Sequence, residues 1–355
     1  IQFLVFLMAV IKAVDEYADL MRVSAASAGN DHRLGGNEAP PAIVSIFLGD
    51  ELTAVLKSIE EDTYFNEHQS IQLETGAHVL PHFMKDNTDR NRTSPFAFTG
   101  NKFEFRMLGS SASVATPNII LNTAVAEALS QFSKELEGTA PEDMEHAVHE
   151  LIKRAIKKHK KVIFNGNGYT EEWVEEAKKR GLYNLESTPD CLPQFIADKN
   201  VELFTRHHIF TKEEIFSRYE ILLENYVKTI GIEAKTMKEM LTKDFLPAVS
   251  SYAATVSDNA LAMKALAPSV PTASAESLVA SLGDAYEKIS STLTTLDEEI
   301  QEIDKKGSMQ ESADYCHKTV LATMDELRAA ADEAEAKIPD EELPYPTYDA
   351  LLFSV

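Results

Sequence analysis

The spacing of apolar side chains changes character several times along the chain. Residues 1–11 are almost wholly apolar, and Lys12, Asp15, Glu16, Asp19 and Arg22 then enter at helical spacing, so residues 1–23 predict one helix that is buried at its start and amphipathic beyond. Residues 24–41 carry Gly29, Gly35, Gly36, Pro40 and Pro41, a composition that predicts a loop without regular structure, able to approach a ligand closely. Residues 43–48 predict a short strand or helix start, and residues 52–61 a helix. In residues 96–108 the pattern alternates. Period two puts Phe103, Phe105 and Met107 on one face of a strand and Lys102, Glu104 and Arg106 on the other.

Helical spacing then dominates. Helices are expected from residue 117 and over about 141–159, followed by a short strand and turn at 162–169 that enters a helix over 170–180, closed by Gly181. Residues 190–252 read as mostly helical, and the small-residue stretch 265–275, with Pro268 and Pro271, breaks the pattern. Beyond it Val279, Leu282, Tyr286, Ile289, Leu293, Leu296, Ile300 and Ile303 alternate spacings of three and four, an a/d seam that predicts a helix with a partner. The next helix, about 311–338, is the expected partner in an antiparallel hairpin. The apolar tail after Pro339 is expected to dock rather than hang in water.

Composition narrows the class. The chain has 355 residues, 44% hydrophobic and 26% charged, enough for a large core or two domains. A formal net charge of -23 disfavours nucleic acid as a partner and requires that any anionic ligand be met by a local cluster of basic residues. Cys191 and Cys316 lie far apart with no metal-ligand spacing, which favours a reducing, cytoplasmic setting. The apolar start is too short for a span and lacks a basic leader, so it reads as a buried helix whose beginning has been cut off rather than as a membrane segment.

Against that acidic background residues 85–106 stand out. Lys85, Arg90, Arg92, Lys102 and Arg106 outnumber Asp86, Asp89 and Glu104, leaving a net charge of +2. Arginine suits a bidentate grip on phosphate or carboxylate, and Glu104 between two cations has the chemistry to hold a divalent ion. The same charges also fit mutual pairing on a solvated strand face. The glycine turn with Arg33 on one side and Glu38 on the other has the residues for a carboxylate arm and a mobile proton acceptor, or is a surface turn with incidental charges. Gly166-Asn167-Gly168 lacks the third glycine of a nucleotide loop and reads as a turn. His78 and His82 have Pro81 between them and read as structural.

The strings Asn30-Asp31-His32-Arg33-Leu34-Gly35-Gly36-Asn37-Glu38-Ala39-Pro40-Pro41 and Asp89-Arg90-Asn91-Arg92-Thr93-Ser94-Pro95-Phe96-Ala97-Phe98-Thr99-Gly100-Asn101-Lys102-Phe103-Glu104-Phe105-Arg106 resemble the glutamine synthetases, in the form used by type III enzymes. Phe164-Asn165-Gly166-Asn167-Gly168-Tyr169 and the ending Pro344-Tyr345-Pro346-Thr347-Tyr348 are also similar to that type, so the likeness covers the chain. It implies an α+β fold: residues 1–140 as the later part of a catalytic domain with a curved antiparallel sheet, 141–264 as a mainly helical region, 265–338 as a helical hairpin and 339–355 as a docking tail.

The resemblance also implies ATP-dependent ligation of ammonia to L-glutamate through γ-glutamyl phosphate, with Mg²⁺ or Mn²⁺. Arg33 would bind the glutamate carboxylate, and Glu38 would close the site and accept a proton. Arg92 would stabilise the phosphoryl group in transfer. Glu104 would be a metal ligand, Arg106 a contact to glutamate and the phosphate, and Lys102 a nucleotide contact. Ala97 stands where types I and II have a second arginine. The family's other metal ligands lie upstream of the matched residues, so the chain alone is expected to be inactive. A homo-oligomer of two hexameric rings follows by the same resemblance. The competing reading is a non-catalytic assembly or regulatory relative.

Overall fold

The computed structural model describes residues 2–36, 39–63, 72–73, 83–84 and 93–353. The chain divides into two compact units, Ile1–Leu222 and Leu223–Val355. Each has its own logic.

The first unit is organised on helix α1, Gln2–Val23, which packs against α4 (Ala115–Leu136) and α5 (Met144–His159). The expected burial gradient is reversed. Phe3 and Phe6 are 51% and 59% exposed, while Lys12, Asp19 and Arg22 further along are buried. The reason is pairing: each of these charges meets an opposite one, so burial is compatible with ionisation. The helix kinks at Tyr17, whose backbone leaves helical geometry.

The loop after α1 is not wholly irregular. Ser27 caps a single turn, α2 (Ala28–Asp31), by accepting from the Asn30 amide. Strand β1 (Ile46–Phe47) leads directly into α3 (Gly49–Glu60). Two further short strands, β2 (Gln72–Leu73) and β3 (Phe83–Met84), form an antiparallel pair.

The alternating segment 96–108 folds as two strands instead of one, β4 (Phe96–Phe98) and β5 (Phe103–Phe105), because Gly100 at φ 94° reverses the chain between them. The sheet order is β1-β4-β5. Its β4–β5 pairing is antiparallel, but β1 runs parallel to β4, so the described strands form a small mixed sheet rather than a purely antiparallel one.

Beyond α5, Ile163 bridges to Ile46, and the Phe164 amide donates to the Ile46 carbonyl at 2.8 Å, carrying the chain to the edge of the sheet beside β1. Thr170 then caps α6 (Glu171–Lys179). Trp173 of that helix is buried and stacked on Phe164, with ring centroids 3.7 Å apart. Gly181 closes the helix at φ 71°. Two short elements, α7 (Thr188–Cys191) and α8 (Asp198–Arg206), return to α1 and α4.

The long helix α9 (Lys212–Met240) passes from the first unit into the second. There a π-helical turn at Leu241–Phe245 leads into α10 (Leu246–Leu266). Helix α11 (Ala273–Ile303) buries Leu282, Ile289, Leu293, Leu296 and Ile303, while Val279, Tyr286 and Ile300 are partly covered. It lies against both α10 and the pair α12 (Met309–Tyr315) and α13 (Leu321–Glu335), which a second π-helical turn joins.

The tail docks only in part. The Tyr345 hydroxyl donates to the Met240 carbonyl at 3.1 Å, but α14 (Tyr348–Phe353) leaves Leu352 and Phe353 76% and 79% exposed. No apolar face among the described residues covers them. Among the described residues no helix is long and apolar enough to cross a membrane.

Candidate functional site

The site is built where the loop after α1 meets the end of β5. Asn30 is buried and its amide nitrogen donates to the carbonyls of Ala25 at 2.7 Å and Met107 at 2.9 Å, bolting α2 to the residue two beyond β5. Asp31, beside it, accepts from Arg22 at 2.8 Å and from the Thr188 amide and hydroxyl at 2.6 and 2.9 Å. Arg22 in turn donates to the Leu185 carbonyl at 2.7 Å. A misplaced α2 would leave buried Arg22 without its counter-charge, so its position is tightly set.

That frame fixes Arg33. Its Nη1 donates to Asn30 Oδ1 and to the Met107 carbonyl, both at 2.9 Å, and its Nη2 to the Arg106 carbonyl at 3.4 Å. Among the described residues the Nε–H and the second Nη2–H have no partner, which leaves one fork edge of the guanidinium for a carboxylate.

On the hairpin, Arg106 donates to Glu104 through Nη2 at 2.9 Å and Nε at 3.2 Å. Lys102 Nζ lies 3.5 Å from the other carboxylate oxygen, to which the Thr99 hydroxyl also donates. The Arg106 hydrogen bond holds the Glu104 carboxyl below its ordinary range, against partial burial that pushes it up; the charges of Arg106 and Lys102 add to the lowering. Lys102, Glu104 and Arg106 therefore share a face, as the alternation requires. Arg33 joins them through the Arg106 backbone. Glu38 and Arg92, and likewise Lys85, Arg90, His78 and His82, lie outside the described residues.

The positions next to Glu38 and Arg92 are described. The Gly35 amide donates to the Pro40 carbonyl and the Ala39 amide to the Gly36 carbonyl, both at 3.0 Å, with Gly35 at φ 85°. The Tyr169 hydroxyl donates to the Ala39 carbonyl at 2.8 Å, and the Gly168 amide to the Thr93 hydroxyl at 2.8 Å. Asn165 secures the same turn from below: its Oδ1 accepts from the amides of Leu48 and Gly49, and its Nδ2 donates to Thr53. The glycine turn thus spends its Gly168 amide on Thr93, as a structural turn does.

Sequence reasoning missed Asn30, Asp31 and Arg22 as supports of the site. The available signal was an arginine in the last turn of α1, next to the apolar pair Leu20 and Met21.

The donor set does not by itself make a metal site. Among the described residues no three His, Cys, Asp or Glu side chains converge, and Glu104 is the one acid in this cluster, already shared by Arg106, Lys102 and Thr99. A hard divalent ion needs about six oxygen ligands, which these described residues do not supply.

Comparison with known proteins agrees with these motifs. Residues 147–264 match the family model "Glutamine synthetase C-terminal domain". Over 356 aligned residues the chain is 49% identical to a glutamine synthetase of Butyrivibrio fibrisolvens, an alignment covering all of this chain and 50% of that protein. It is 39% identical to the type-3 glutamine synthetase of Dictyostelium discoideum, over 99% of this chain and 49% of that protein. It is 34% identical to a glutamine synthetase of Bacteroides fragilis, over 99% of this chain and 50% of that protein. The chain spans about half the length of the curated relatives it matches.

Proposed function

We propose that the chain, whose residues 147–264 match the glutamine synthetase C-terminal domain family, is part of an ATP-dependent glutamate–ammonia ligase. The observation that carries this is Arg33: three hydrogen bonds pin its guanidinium beside Arg106 and leave one bidentate edge to bind. A surface turn with incidental charges has no need of a buried Asn30 and a buried Arg22 paired with Asp31 behind it.

In this reading Arg33 holds a carboxylate of glutamate, and Arg106 and Lys102 face the phosphates. The γ-phosphoryl group passes from ATP to the side-chain carboxylate oxygen of glutamate, releasing ADP. Cations placed where charge develops contribute most to such a transfer, which is the work assigned to Arg106 and Arg92. Ammonia then attacks the carbonyl carbon of γ-glutamyl phosphate, phosphate leaves, and Glu38 takes the surplus proton. ATP and a divalent ion, Mg²⁺ or Mn²⁺, are the cofactors, with Glu104 as one ligand. Among the described residues no further ligand joins it.

Assembly as a dodecamer of two hexameric rings in the cytoplasm completes the proposal. Leu266, 90% exposed, and the apolar face of α14 support a partnered surface.

The test is Arg33→Lys in the assembled ligase. A lost bidentate contact to a carboxylate, about 1.5–3 kcal/mol, raises the glutamate KM about 10- to 100-fold and leaves the ATP KM nearly unchanged. An unchanged glutamate KM removes Arg33 from the substrate, and absence of glutamine formation by the unaltered assembly removes the ligase reading.

A further inference from the structure

Two segments that the ligase reading needs are held by one pair of adjacent residues far along the chain. Tyr169 grips the Ala39 carbonyl, one residue beyond Glu38. Gly168 grips the Thr93 hydroxyl, one residue beyond Arg92. We propose that Gly168 and Tyr169 are positioning residues, a clasp that fixes the backbone following Glu38 and the backbone following Arg92 relative to each other.

The geometry admits little else at this turn. Gly168 is buried, and a Cβ there would meet the Thr93 carbonyl oxygen at 2.9 Å and the Pro41 ring at 3.3 Å. Only a residue without a side chain lets the turn lie this close to both segments. The turn cannot drift, because Asn165 ties it to the start of α3 with three hydrogen bonds of 2.9–3.1 Å, and Phe164 is stacked on buried Trp173. Tyr169 itself is 41% exposed, so its hydroxyl contact with Ala39 is not demanded by core packing. The hydrogen bond from this hydroxyl restrains the Ala39 carbonyl.

The consequence rests on the ligase reading. If Glu38 and Arg92 serve the same acyl phosphate, their separation must be kept within fractions of an ångström, and effects of this kind appear in turnover rather than in binding. Loosening the Ala39 side lets water reach the acyl phosphate, which then yields glutamate and phosphate with no glutamine.

The experiment has two arms. The first is amide hydrogen exchange on the chain itself. Tyr169→Phe and Thr93→Val should each speed exchange near their own contact, at Gly35 and Ala39 for the first and at Gly168 for the second. Loss of one hydrogen bond corresponds to about 2- to 10-fold. Amides of α5 and α13 should be unchanged. Unaltered exchange in folded Tyr169→Phe overturns the clasp.

The second arm uses the assembled ligase. Tyr169→Phe should lower kcat severalfold with the KM for ATP unchanged, and phosphate released should exceed glutamine formed. Faster exchange with unchanged kcat and a one-to-one ratio overturns the positioning role. If the unaltered assembly makes no glutamine, the ligase reading falls, and exchange alone decides the clasp. Gly168→Ala should match or exceed Tyr169→Phe in both arms, and Tyr169→Phe stands in for it if it does not fold.

Discussion

The two units bury different things. Among the described residues every fully buried charged residue, Lys12, Asp19, Arg22, Glu127 and His159, belongs to the first unit, whereas the second buries uncharged Thr272, Ser312 and Thr323. In the first unit Glu127 meets Arg206 and His207, His159 meets Asp15, and Asp19 meets Lys199. In the second a seam of Leu and Ile does the packing, and its ion pairs lie at the surface. Apolar packing tolerates small slips, since one contact replaces another. A buried ion pair does not, because a slip leaves a charge without water or partner. The unit that carries Arg33 and Glu104 is the one whose helices are keyed by charge.

Arg22→Ala gives the largest expected break in that comparison. Arg22 is 1% exposed and bonded to Asp31 and the carbonyls of Leu185 and Glu186, so its loss removes the counter-charge of Asp31, leaves two carbonyls without their donor and should cost about 3–5 kcal/mol. Trp173, the single tryptophan, and buried Cys191 report on the first unit, and buried Cys316 on the second. Burial raises both thiols, to about 12 for Cys191 and about 11 for Cys316, so neither reacts in the folded state at neutral pH. The variant should speed thiol labelling at Cys191 and shift the Trp173 transition while Cys316 keeps its protection. Equal loss at both cysteines would show one cooperative block, and the contrast would then lie in composition alone.

Ile289→Val tests the other side. Ile289 is fully buried in the α11 seam, and trimming one methylene should cost about 1 kcal/mol. Cys316 labelling should quicken modestly and Trp173 fluorescence should not move. A cost above about 3 kcal/mol would mean that the second unit is as tightly keyed as the first.

These differences mark where the sequence was readable. Helices with a continuous apolar stripe were legible: α3, α5, α6 and α11 fall close to where spacing puts them. So was the shared face of Lys102, Glu104 and Arg106, since period two needs only local geometry. The depth of α1 was not, because Lys12, Asp19 and Arg22 read as solvent-facing until Glu16, Lys199 and Asp31 are brought to them from other turns and elements. The hairpin at Gly100 was easily passed over, because only a one-residue shift of the alternation, from Phe96 and Phe98 at even positions to Phe103 and Phe105 at odd ones, marks the turn. The role of the turn at Gly168 was hidden for a related reason: its partners, Ala39 and Thr93, are more than seventy residues away. The grouping of Arg33 with Arg106 came from resemblance, and the hydrogen bonds of Asn30 supply its physical cause.

The smallest effect is expected where the candidate site faces water. The Arg106 hydrogen bond lowers the Glu104 carboxyl, so the stability this pair brings is complete above the unfolded value of about 4.3 and is lost as pH falls through the folded one. Glu104 is 37% exposed, and a screened surface pair is worth no more than about 0.5 kcal/mol. Arg106→Gln should therefore hardly alter stability, yet it should move the Glu104 titration, followed by its side-chain carbonyl resonance, up toward the ordinary range. A Glu104 that already titrates there in the native chain would mean that Arg106 is not held by the carboxylate.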